Sequence, residues 1–81
     1  MLERAARDGV AKAQFQMGAR AYGAGDSPDN YVAAYMWYAL AQRGGLEGSD
    51  KMVSELEAKM SSEQLTEARK KMDNSGISTG K

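Results

Sequence analysis

Within the stretch NYVAAYMWYALAQRGG, residues 30–45, Ala34, Trp37, Tyr38 and Ala41 recur at i, i+3, i+4 and i+7. No other feature constrains the fold as strongly, because that spacing places the four side chains on one stripe of an α-helix. The only Trp and three of the four Tyr lie in this one segment. Alternating small and large residues let another helix approach over the alanines while the indole fills the space beside them. The stripe therefore predicts a helix built to pack against other helices rather than a catalytic element.

Composition narrows the rest. A chain of 81 residues buries only somewhat more than about 60% of its unfolded surface, so it needs help from staples, partners or further chain. With Cys 0 and His 0, disulfides, typical zinc sites and His-based acid/base or Ser-His-Asp chemistry are excluded, and neither a metal nor a cofactor is expected. Lys+Arg 11 against Asp+Glu 11 leaves a formal net charge of +0, with both signs interspersed, so nothing steers nucleic acid or anionic lipid. No segment reaches the apolar length of a membrane span, and the N-terminus lacks the basic-then-apolar order of a signal peptide. A soluble protein is expected, its compartment left open.

Along the chain, 2–8 reads as a short amphipathic helix closed by Gly9. Val10, Ala13, Met17 and Ala21 give a second helix over 10–23, with Phe15 and Tyr22 flanking its stripe. Gly18 in its interior costs about 1 kcal/mol in propensity, so either the helix is weak or, the favoured reading, another backbone passes close by. Residues 24–29, AGDSPD, make a turn, with Asp29 or Asn30 as cap of the Trp helix and Gly44-Gly45 as its end. Leu46, Met52, Val53, Leu56 and Met60 give a fourth helix over 46–60 whose first turn Gly48 weakens. Glu47–Lys51 and Glu55–Lys59 are its expected i,i+4 pairs. Ser61 and Gln64 form a capping box that starts a fifth helix through Leu65, Ala68 and Met72, and 74–81 reads as a disordered tail.

Ala5-x-x-x-Gly9 recurs as Ala41-x-x-x-Gly45, an offset of 41 − 5 = 36 residues that also aligns Ala13 with Ser49 and Met17 with Val53. A period in the mid-thirties is the mark of a helix-pair repeat, whose units stack because each alone leaves an apolar face uncovered. The run Ala5, Gly9, Ala13-Gln14-Phe15, Met17-Gly18, Tyr22, Gly25, Ala34, Trp37, Ala41, Gly45 resembles the Sel1-like repeat, a relative of the tetratricopeptide repeat. The departures are Asp26-Ser27 in place of Gly-Val in the loop, Gln42 for a second alanine and Ser49 for the next repeat's first alanine. The first of these, with Tyr22 and Gly25 falling one place late, implies a variant turn between the two helices. The segment Met60-Ser61-Ser62-Glu63-Gln64-Leu65 through Ala68 is similar to the closing helices of small bacterial members.

The resemblance implies an all-α fold of antiparallel helix pairs stacked as a short right-handed α-solenoid over 1–73. In it, 2–8 ends a preceding repeat, 10–45 is one complete pair and 46–73 forms the C-terminal capping helices. It implies a non-catalytic scaffold or adaptor that binds a protein or peptide, in the bacterial cytoplasm or periplasm. The first helix of each pair would supply the binding surface. Its candidates are Lys12, Gln16, Ala19 and Arg20, then Lys51, Glu55 and Lys59, with Tyr35 at the edge of the Trp helix. The expected core is Ala13, Met17, Gly18, Tyr22, Ala34, Trp37, Tyr38, Ala41, Val53, Leu56 and Leu65.

Plainer roles account for the remaining chemistry-bearing side chains. Trp37 is core rather than part of an aromatic box, the methionines fill gaps on different helices, and Asp26 and Asp29 serve a turn and a cap. Glu55, Glu57, Glu63 and Glu67 are spread around helices with no shared cleft for acid/base work. Two alternatives remain: a terminal cap or homodimerisation segment of a longer solenoid, and, more weakly, a β-lactam-binding or -hydrolysing relative. Disulfide-rich members suggest the last, but this chain lacks their paired cysteines.

Overall fold

The computed structural model describes residues 2–25 and 27–75, and all of the regular structure among them is helical. Five helices follow one another: α1 (Leu2–Arg7), α2 (Ala11–Gly23), α3 (Pro28–Arg43), α4 (Ser49–Lys59) and α5 (Ser62–Ser75). α3 packs against α2, α4 and α5, while α1 packs on α2. The expected tail therefore starts later than 74, since Asn74 and Ser75 continue α5, and the rest of that expectation, 76–81, lies outside the described residues.

Position at the centre explains the composition of α3. The stripe residues Ala34, Trp37, Tyr38 and Ala41 are buried, but so are Val32, Tyr35, Ala39 and Leu40. A helix with neighbours on several sides needs apolar residues nearly all round rather than on one face. Of the other expected core positions, Ala13, Gly18, Val53 and Leu56 are buried, and Met17, Tyr22 and Leu65 are half-buried at the edge of the cluster.

The helix ends show how local chemistry sets the path of the chain. After α1, the Val10 N–H donates to the Ala5 carbonyl (3.0 Å) and the Gly9 N–H to the Ala6 carbonyl (3.2 Å), with Gly9 at φ 94°. After α3, the Leu46 N–H donates to Ala41 (3.2 Å) and the Gly45 N–H to Gln42 (2.9 Å), with Gly45 at φ 81°. These are the paired bonds of a Schellman turn, in which glycine takes the left-handed conformation without penalty. Both turns sit on the 36-residue offset, residue for residue.

The chain departs from that offset immediately afterwards. α4 begins at Ser49 rather than Leu46 because Gly48, at φ 91°, occupies its N-cap position, so Gly48 sets the start instead of weakening a first turn. Glu47 then lies outside the helix, and no ion pair joins it to Lys51 among the described residues. Ser27, not Asp29 or Asn30, caps α3: its Oγ accepts from the Asn30 N–H at 3.2 Å, with Pro28 in the first turn. Asn30 instead donates its side-chain amide to the Gly25 carbonyl at 3.4 Å. At α5 the capping box is reciprocal, with the Ser61 N–H on Gln64 Oε1 (2.9 Å) and the Gln64 N–H on Ser61 Oγ (3.2 Å).

Gly18 faces a ring rather than a backbone. A Cβ on Gly18 would lie 3.0 Å from Cγ and Cδ1 of Tyr38, whose ring also receives the edge of Phe15 at a centroid distance of 5.0 Å. Tyr22 meets Tyr31 at 5.9 Å nearer the connecting turn, so α2 and α3 run antiparallel. Gln14, fully buried, donates its Nε2 to the Ala6 carbonyl (2.9 Å) and fastens α2 to the end of α1. The corresponding region of α4 has the buried Ser49, whose hydroxyl has no hydrogen-bond partner.

Candidate functional site

α2 exposes Lys12, Gln16, Ala19 and Arg20, which follow i, i+4, i+7 and i+8 and so share one side of the helix. α4 exposes Lys51, Glu55 and Lys59. These two helices lie side by side and run in the same direction. Phe15 on α2 sits beside Gly48 at the head of α4, and Tyr22, two turns further along, meets Glu55 and Lys59.

Tyr22 is what joins them. Its hydroxyl donates to Glu55 Oε2 at 2.8 Å and accepts from Lys59 Nζ at 2.6 Å, forming one chain of hydrogen bonds from ammonium through phenol to carboxylate. The ammonium also stands 5.2 Å from the centroid of the Tyr22 ring, a cation–π distance. The hydrogen bond that Lys59 donates to Tyr22 raises the pKa of Lys59 above the ordinary lysine value, and the nearby phenol and carboxylate charges act in the same direction. Glu55 and Lys59 thus do not form the expected direct ion pair; Tyr22 stands between them. Among the described residues the ion pair is Lys71–Glu67, at 3.9 Å on the exposed side of α5.

Lys12, Gln16, Ala19, Arg20 and Lys51 flank this seam without entering it. The exposed charges of α2 and α4 nearly balance: Lys12, Arg20, Lys51 and Lys59 stand against Asp50, Glu55 and Glu57, an excess of 4 − 3 = 1 positive charge.

Tyr35 is not part of it. Expected at an accessible edge, it is 4% exposed, because α4 and α5 both close over that part of α3. Its hydroxyl donates to Glu57 Oε2 at 3.0 Å, and the Arg69 guanidinium lies close enough to influence the same phenol. Burial pushes the Tyr35 pKa up; Arg69 opposes that shift and Glu57 adds to it. Burial likewise raises Tyr38, with further contributions from Tyr22 and Glu55. The two glutamates of α4, two residues apart, therefore serve different seams.

Tyr22 as a bridge, and Glu57 and Arg69 as partners of Tyr35, lay beyond reasoning from sequence. Tyr22 carried a hint, since a phenol flanking an apolar stripe keeps its ring on the core and its polar tip at the edge. Glu57 and Arg69 carried none, because exposed charges recur all along both helices. No described helix is long and apolar enough to cross a membrane, and the described residues contain no group of three or more acidic, His or Cys side chains placed to hold a metal ion. Comparison with protein-family models, with curated proteins and with solved structures finds no match to this chain.

Proposed function

We propose that this chain is a non-catalytic protein-interaction module of the Sel1-like, tetratricopeptide-related kind, which binds a protein or peptide through the exposed surface of α2 and α4. In this reading α1 ends one repeat, α2 and α3 form a complete pair, and α4 and α5 form the closing pair of a short right-handed solenoid. The observation that carries it is the Tyr22 seam. It aligns α2 and α4 in the same direction and leaves Lys12, Gln16, Ala19, Arg20 and Lys51 exposed beside it. The two Schellman turns on one 36-residue offset support the repeat.

The test is affinity capture from cells of the source with the wild-type chain, with a front variant (Lys12→Glu, Gln16→Glu, Arg20→Glu) and with a control reversed on α5 (Lys70→Glu, Lys71→Glu). Capture of one partner that the front variant loses and the control keeps is the expected result. Equal capture by all three contradicts the reading, as does nitrocefin turnover above background by the pure protein.

A second reading, that the module also terminates a longer solenoid, is favoured by α5. Its outward side is polar, with Ser62, Glu63, Thr66, Glu67 and Lys70 around an open surface depression, and no helix beyond α5 is needed to cover Ala68 or Met72. A polar outer face is what capping repeats require. Replacing Glu63, Thr66 and Lys70 with leucine should raise the mass measured by light scattering above that of the wild-type chain; an unchanged mass would count against the cap.

A further inference from the structure

We draw no further inference here: the strongest candidate, the groove between the last turns of α3 and the C-terminal half of α5, floored by Tyr35, Ala39 and Met72 and edged by Arg43, Arg69 and Asp73, carries none because nothing in the structure shows what covers it.

Discussion

Tyr22 and Tyr35 do the same chemical job in different surroundings. Each phenol donates to a glutamate of α4 and has a cationic side chain beside it, Lys59 hydrogen-bonded at 2.6 Å in one case and Arg69 in the other. Tyr22 does so in a half-exposed seam between α2 and α4, Tyr35 beneath α4 and α5 at 4% exposure. The difference teaches where stability resides and, in the proposed function, where recognition would. Hydrogen bonds open to water contribute little net and are easily exchanged for contacts with a partner, whereas a buried polar group becomes costly once its partner is removed. The body around α3 holds the fold, and the seam holds the more readily exchanged contacts.

The sharpest way to break this contrast is to damage the body. Trp37, 8% exposed on the central helix, should cost about 3–5 kcal/mol on replacement by alanine, enough to unfold a domain this small. A melting temperature that barely moves would place the core elsewhere. Gly18→Ala tests the packing of α2 on α3. Alanine gains about 1 kcal/mol in helix propensity, yet its Cβ would meet the Tyr38 ring at 3.0 Å, and that ring is pinned by Phe15. Overpacking of about 1–3 kcal/mol should prevail and lower the denaturant midpoint. A raised midpoint would mean that the ring moves freely.

Smaller changes sharpen the comparison. Ser49→Ala removes a buried hydroxyl with no hydrogen-bond partner and should stabilise by about 1 kcal/mol in chemical denaturation. Tyr35→Phe should cost about 1 kcal/mol, while Tyr22→Phe should stay within about 0.5 kcal/mol; equal losses would erase the distinction between body and seam. The pH dependence follows from the same burial. Folded Tyr35 and Tyr38 have pKa values raised above the unfolded 10.0, so above that pH the unfolded chain releases protons that the folded one retains. Stability is therefore intact below pH 10 and falls as pH rises through the folded values. Raised Lys59 acts with the same sign. Tyr38→Phe should blunt the alkaline loss in melts recorded on either side of pH 10.

Much of this was legible in the sequence because it is local. Helix stripes, the Ser61/Gln64 box and the two glycine-terminated turns are determined by residues within a few positions of one another, and their spacing survives folding. What was not legible depends on which helix lies across from which. Tyr35 resembled an edge residue because its own helix offers no sign that α5 returns to cover it. Gly18 required a close neighbour, but nothing nearby identified that neighbour as the ring of Tyr38. The Ser27 cap was hidden by competition, since Ser27, Asp29 and Asn30 all favour caps and Pro28 in the first turn decides in favour of the residue before it. The groove between Arg43 and Arg69 joins side chains 26 residues apart (69 − 43), which no period in the chain relates.

The central claim is that recognition belongs to the outward surface of α2 and α4. It is tested most directly by placing a photo-crosslinking amino acid at position 16 or, separately, at position 70, and irradiating each variant in cells of the source. The account predicts a discrete protein adduct from position 16, on the exposed side of α2, and none from position 70 on the polar back of α5. An adduct from position 70 alone, or none from position 16, would contradict it.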